Sequence, residues 1–407
     1  MKSFEHDEYP GKPKILFVGI GNSTHTHSWI DLLKDEPFNV RLFSTTNGLP
    51  PADWPVRTYV TAYERGVLDP ASRMRLFDTG KVRRFGSRTK AWLSRKAWDM
   101  RSFAPAWLME TIRTWRPDVI HTLGLDAGAF YMSSRDRFGS DKIGKWVLQT
   151  RGGSDLALTQ LDPERAPQIA HVLRGCDQLL CDNLENVRIG RELGMDETQF
   201  ASIVPVPGTG GIDVDQLASR WQGAPSRRRA ILWPKAYETL WGKVLPSFEA
   251  IKLCWDRIQP TEIHALSADA EARTWYWTLP EHIRCSFRIS ERVTRARTLE
   301  LMTEARVMLA PSLVDGVPNS LYEAMACGAF PIVSPLDTIR PVVEDERNVL
   351  FARNLYPNEI ADALCRAMSD DALVDAAAER NLELVRQVAE RSKIKTRVIE
   401  FYEKLAG

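Results

Sequence analysis

An α/β protein built from two similar parallel-sheet halves is what this sequence predicts, and three observations carry that expectation. Short β-branched and aliphatic runs alternate with helical patterns along the 407 residues. Several of those runs are apolar throughout rather than alternating, as in strands that helices cover on both faces. The rhythm breaks over Leu217–Arg229, where Gly223, Pro225, Ser226 and the run Arg227–Arg229 interrupt it, and resumes with a new strand at Ala230. Strand–helix alternation of this kind implies βαβ units and parallel sheets.

Taken in order, the first half offers strands at Lys14–Gly19, Val40–Ser44, Asp118–Thr122, Lys145–Thr150, Gln178–Cys181 and Ile203–Val206. The second half offers Ala230–Trp233, Glu262–Leu266, Arg284–Phe287, Val307–Ala310, Phe330–Val333 and Val349–Phe351. The expected organisation is a first domain over 1–216, a linker over 217–229 and a second domain over 230–390. In the tail, 391–407, Ile394, Val398, Phe401, Tyr402 and Leu405 fall at helical spacing, which predicts a C-terminal helix packing back on the first domain.

Composition narrows the function classes. The 54 Lys+Arg against 53 Asp+Glu give a formal net charge of +1, which argues against a dedicated nucleic-acid binder. No apolar run reaches the length of a membrane span, and Met1–Lys12 lacks the apolar core of a signal peptide, so a cytoplasmic protein is expected. The six cysteines are scattered without a C-x-x-C pair and read as reduced, mostly buried thiols.

The first strand runs into Gly19-Ile20-Gly21-Asn22-Ser23-Thr24-His25-Thr26-His27. A glycine-rich turn before a helix turns backbone N–H groups outward and makes an anion site, with Gly21 and Asn22 as candidate ligand contacts. The same pattern fits a tight turn in which Ser23 and Thr24 cap the helix. A dinucleotide fingerprint would need a third glycine where Thr24 stands and an acid after the second strand, which ends in Ser44-Thr45-Thr46. An NAD-dependent enzyme therefore stays only as the lesser alternative. His25 and His27 have no acidic or cysteine companion at ligand spacing, so they are expected to line a cleft rather than hold a metal.

The densest signal is Ala310-Pro311-Ser312-Leu313-Val314-Asp315-Gly316-Val317-Pro318-Asn319-Ser320-Leu321-Tyr322-Glu323-Ala324-Met325-Ala326-Cys327-Gly328. A strand ends at Ala310, a Gly/Pro loop follows, and a helix begins near Asn319. Asp315 lies on the loop and Glu323 inside the helix, so the two carboxylates can meet different hydroxyls of one extended ligand. An ordinary helix start with an acidic first turn fits as well. Asp213-Val214-Asp215 is formally a D-x-D, but two acids alone make a poor octahedral site.

This block resembles the E-x7-E motif of retaining GT-B glycosyltransferases of the glycosyltransferase-4-like, group 1 type, in a bacterial branch with Asp at the first acidic position. Arg116–His121, the Gly152-Gly153-Ser154-Asp155 loop and Glu344–Leu350 are similar to further segments of that family. The resemblance implies a GT-B fold, two Rossmann-like domains facing a cleft, and transfer of a sugar from a nucleotide-diphosphate donor with retention. It implies ribose binding by Glu323 and donor-sugar contact by Asp315. The backbone of Gly316, Val317, Pro318, Asn319, Ser320 and Leu321 would face the sugar and diphosphate. Lys235 and Lys243 match two basic diphosphate ligands, which need no metal or other cofactor. Ser23, Thr24, His25, His27, His121 and Asp155 are acceptor-side candidates. The second histidine that many relatives carry near His121 is Leu123 here, which leaves no assigned catalytic histidine and keeps a non-catalytic nucleotide-sugar-binding protein as the alternative.

The acceptor stays open among glycans, lipid-linked carriers and small molecules. Arg73–Arg101 holds ten basic and two acidic residues with Phe85, Trp92 and Trp98 interleaved. Such a stretch suits peripheral contact with an anionic membrane face, an acidic acceptor or nucleic acid, or simply a solvated helix packed through its aromatics.

Overall fold

The computed structural model describes residues 6–46, 48–60, 75–76, 104–139, 142–152, 154–221 and 223–407. The first half forms a parallel sheet from β1 (Lys14–Gly19), β2 (Asn39–Ser44), β3 (Arg57–Val60), β4 (Arg75–Leu76), β5 (Val119–Leu123), β6 (Lys145–Gln149) and β7 (Gln178–Leu180), in the order β4-β3-β2-β1-β5-β6-β7. The second forms one from β8 (Ala230–Trp233), β9 (Glu262–Ala265), β10 (Phe287–Ile289), β11 (Ala305–Ala310), β12 (Phe330–Val333) and β13 (Leu350–Phe351), in the order β10-β9-β8-β11-β12-β13. Every pairing is parallel, as the βαβ alternation predicts.

The unbroken apolar runs follow from burial on both faces. Successive side chains of a strand point to opposite faces. Leu16 and Val18 of β1 therefore join a core with the helices Ala104–Trp115 and Leu125–Phe138. Ile15 and Phe17 join a second core with Trp29, Ile30 and, from the last helix Arg391–Ala406, Ile394, Val398, Phe401 and Tyr402. The second sheet divides the same way, with Ile231 and Val307 on one face and Leu232 and Met308 on the other.

Several expected elements move. Ile203–Val206 is a loop that runs beside β7, because Pro205 and Pro207 supply no N–H for a ladder. The strand expected at Arg284–Phe287 is displaced to Phe287–Ile289 by a helical turn over Glu281–Arg284. The stretch 217–229, read from its composition as a linker, is built into the second half. Leu217 sits in its core, and the buried Arg228 donates to the carbonyls of Ala305 and Cys327. The chain crosses between halves further upstream, at Gly211, whose φ is +81° and where a Cβ would lie 2.5 Å from the carbonyl oxygen of Ala389. There the crossing pairs with the return crossing: Ile212 N–H donates to Ala389 O and Arg391 N–H to Ile212 O, both at 2.9 Å.

Apart from Arg75 and Leu76, the basic stretch Arg73–Arg101 lies outside the described residues. Among the described residues, no helix is long and apolar enough to cross a membrane, and all six cysteines are free, with only Cys285 exposed.

Candidate active site

The loops that follow β1, β6 and β7 face the loops that follow β8 and β11 across a cleft, at the carboxyl ends of both sheets, where parallel α/β sheets bind ligands. The halves touch there. A Cβ on Gly316 would lie 2.6 Å from both Asp182 Oδ2 and Gly152 Cα, so only glycine allows this approach. Thr209 Oγ1 donates to Asn319 Oδ1 at 2.8 Å across the same seam.

On the second half, Lys235, Lys243 and Asp315 share one cavity of about 160 Å³, closed by Trp233, Trp241 and Asn354. Lys235 follows β8 directly, and its Nζ donates to Asp315 Oδ2 at 2.6 Å. Burial pulls the Lys235 pKa down, but the adjoining Asp315 carboxylate outweighs it and the net shift is upward. Lys243 Nζ lies 2.5 Å from Glu238 Oε1. Asn354 holds the loop in place: its Oδ1 accepts from Lys243 N–H and its Nδ2 donates to Lys243 O and Pro311 O.

The helix Asn319–Ala326 starts after Pro318 and carries Glu323 in its second turn, eight positions after the loop residue Asp315. Val317 and Leu321 turn their side chains into the core, so this segment offers the cleft its backbone rather than those side chains. Ser320 Oγ is buried with no hydrogen-bond partner, and Gly316 N–H is turned to Asp315 Oδ1. Glu323 Oε1 accepts from Arg295 Nη2 at 2.7 Å and Nε at 3.1 Å. Burial raises the Glu323 pKa against the pull of Arg295.

The first half brings together a different set. His25 is accessible at the cleft mouth, yet protein crowds the ring. That desolvation, with Arg151, Lys235 and Arg295 nearby, lowers its pKa to about 4 against the opposing pull of Asp315. Asn22 and Thr24 are exposed beside it, and Gly21 N–H donates to Ser44 Oγ at 3.1 Å. Ser23 begins the helix with no side-chain cap hydrogen bond.

Two acceptor-side candidates, His27 and His121, do not line the cleft, and a third, Asp155, is turned back onto its own loop. His27 is buried against Trp54, with Nε2 2.7 Å from the carbonyl of Gly21, and so serves the loop. His121 is fully buried because it lies on the β5 face that the last helix covers; its Nδ1 bonds Tyr402 Oη, and burial drives its pKa well down. Asp155 folds back to accept from Arg151 N–H at 2.5 Å, and burial raises its pKa to about 6.

Four charged residues at the cleft escape sequence reasoning: Arg151, Asp182, Glu238 and Arg295. Asp182 follows β7, and that strand-end position is a signal which could have found it. Its Oδ2 accepts from Gly152 N–H at 3.1 Å and its Oδ1 from Asn183 Nδ2 at 2.7 Å, while burial, with Asp315 and Asp155 nearby, raises its pKa to about 7. Asp213 and Asp215 lie outside this cleft in a surface pocket, where Arg386 pairs with Asp215 at 2.9 Å. Among the described residues, no three His, Cys, Asp or Glu side chains group to hold a metal.

Two facing parallel α/β halves with strand-end loops along the seam define a GT-B protein, and solved structures of that architecture superpose over nearly the whole chain. Sucrose-phosphate synthase from Thermosynechococcus elongatus matches at 15% identity and TM-score 0.69, over 97% of this chain and 99% of its own. HepE from Anabaena, in complex with UDP-glucose, matches at 11% and 0.68, over 96% and 100%. The lipopolysaccharide outer core galactosyltransferase WaaB matches at 13% and 0.61, over 96% and 100%. No curated protein matches the sequence. Residues 263–370, which include both motif carboxylates, match the family model described as glycosyl transferases group 1. The second half therefore matches the group 1 glycosyltransferase model over residues 263–370, and the chain as a whole has the GT-B fold.

Proposed function

We propose that the chain transfers a sugar from a nucleotide-diphosphate sugar to an acceptor hydroxyl with retention of anomeric configuration. The observation that carries this reading is the convergence of Lys235, Lys243 and Asp315 on one cavity, one loop away from the backbone of Gly316–Leu321 and from Glu323. Two ammonium groups suit a diphosphate, and a carboxylate suits sugar hydroxyls. Glu323 binds the ribose, Asp315 binds the donor sugar, and both lysines with the loop amides receive the charge that grows on the departing phosphate. The carbon–oxygen bond to the diphosphate breaks while the acceptor oxygen attacks from the same face. The departing phosphate oxygen takes the acceptor proton, so no general base is required. The lysines supply the positive charge that a metal would otherwise provide. The complex of HepE with UDP-glucose supports a nucleotide-sugar donor for this fold.

The acceptor approaches from the first half, past His25, Asn22 and Thr24, and is a glycan, a lipid-linked carrier or a small molecule. The reading takes the enzyme as cytoplasmic, meeting the inner membrane face through Arg73–Arg101.

Thermal unfolding with UDP, GDP, ADP and dTDP tests the donor class, because a ligand at 100 times its Kd adds about 2.7 kcal/mol to the folded state. One nucleotide should raise Tm, and its sugar conjugates should be hydrolysed or transferred to give a product of unchanged anomeric configuration by NMR. No shift with any of the four, or an inverted product, overturns the proposal.

A further inference from the structure

Both lysines of the cavity are already engaged by carboxylates, and one of these, Glu238, belongs to no motif in the sequence. We propose that Glu238 and Asp315 are resident counter-ions of the diphosphate subsite, which an incoming donor displaces from Lys243 and Lys235, and that only an intact donor offers Asp315 a partner in exchange. This rests on the donor assignment above.

The carboxylates are fixed and the lysines are not. Glu238 Oε2 accepts from Val244 N–H at 3.1 Å, and its own N–H donates to Asp269 Oδ2 at 2.9 Å. Asp315 Oδ1 accepts from Gly316 N–H at 2.9 Å, and its carbonyl takes Thr338 Oγ1 at 2.8 Å. Lys235 and Lys243 remain about a third exposed on flexible stems, whereas Asp315 and Glu238 are 20% and 16% exposed. Two ammonium groups and two carboxylates leave this set without net charge, so a diphosphate gains little until the lysines turn away from their partners.

The two exchanges then differ. Glu238 keeps its backbone donor when Lys243 leaves. Asp315 loses the cation that compensates its burial, which is costly for a half-buried carboxylate. Sugar hydroxyls at Asp315 offset that loss, and a bare nucleotide diphosphate has none to offer. Once the sugar has been transferred, Lys235 returns to Asp315 and the leaving nucleotide is released. Asp315 is thus a specificity-determining residue for intact donor over product, and Glu238 is a positioning residue acting through Lys243.

Calorimetric titration with inorganic pyrophosphate, and with UDP, GDP and ADP, each nucleotide also as its glucose conjugate, tests this on wild type, Asp315→Asn and Glu238→Gln. Both substitutions keep an oxygen for the backbone N–H each carboxylate serves. Pyrophosphate should bind each variant at least about three-fold tighter than wild type, because removing either carboxylate frees a lysine. The preference for intact donor over bare nucleotide should collapse in Asp315→Asn and persist in Glu238→Gln. Unchanged or weaker pyrophosphate binding in a variant with wild-type Tm overturns the proposal, and either variant alone suffices if the other fails to fold. Binding of none of these ligands to wild type overturns the donor assignment itself, and the exchange with it.

Discussion

The two walls of the cleft accommodate buried charge in different ways. On the second half, each cation meets a carboxylate: Lys235 with Asp315 at 2.6 Å, Lys243 with Glu238 at 2.5 Å, and Arg295 with Glu323 at 2.7 Å. On the first half, Asp155 and Asp182 accept from backbone N–H groups, while the Arg151 guanidinium donates to Gln149 Oε1. Backbone amides oppose desolvation less than an adjoining cation does. Burial therefore carries Asp155 to about 6 and Asp182 to about 7, into the range where proteins work. On the second wall each cation has a carboxylate partner, whereas on the first burial leaves two carboxylates that titrate near neutral pH.

The largest expected effect breaks the second wall. Lys243→Ala removes a hydrogen bond to a charged group, worth about 1.5–3 kcal/mol, so kcat/KM for the nucleotide sugar should fall by roughly one to two orders of magnitude. Stability should hold, since the ion pair is partly solvated and weak. Wild-type kinetics in this variant would remove Lys243 from the site.

Next comes the floor beneath the first wall. Tyr402 Oη is buried, accepts from Trp29 Nε1 at 3.1 Å and bonds His121 Nδ1. Tyr402→Phe leaves both ring nitrogens unpartnered and should cost about 1–3 kcal/mol in denaturant unfolding. A loss below about 0.5 kcal/mol would mean that the last helix is held by packing alone.

A smaller effect sharpens the contrast between the walls. Asp182, raised to about 7, keeps a proton in the folded protein that the unfolded chain has released above about pH 4. Its contribution therefore favours the fold at acid pH and is lost as pH rises through about 7. His25, lowered to about 4, acts in the opposite sense and withdraws stability as pH falls below about 6.5. Asp182→Asn should flatten the decline in stability between pH 5 and 8, by on the order of 1 kcal/mol. Tm profiles of equal slope in the two proteins would show that Asp182 does not titrate in this window.

The smallest expected effect is none. Excess EDTA should leave sugar transfer unchanged if Lys235 and Lys243, which line one cavity, receive the diphosphate as proposed. Activity lost in EDTA and restored by Mg²⁺ or Mn²⁺ would bring a cation into the mechanism and reopen the role of Asp213 and Asp215.

Local sequence by itself determined the α/β class, the parallel sheets and the loop carrying Asp315 and Glu323. Strand burial and a strand–loop–helix turn leave their mark over a few consecutive residues, in apolar runs such as Ala305–Ala310 and in a Gly/Pro break before Asn319. Only the tertiary structure decided what those residues meet. Lys235 and Asp315 are 80 positions apart, and Arg295 and Glu323 are 28 apart. His121 became a core residue because a helix almost 300 positions downstream covers its face of β5, bringing Tyr402 to its ring. Asp182 became a cleft residue because Gly316 from the other half packs against it. A side chain's charge state and partners are set by whatever packs beside it in space, and spacing along the chain records only its nearest neighbours.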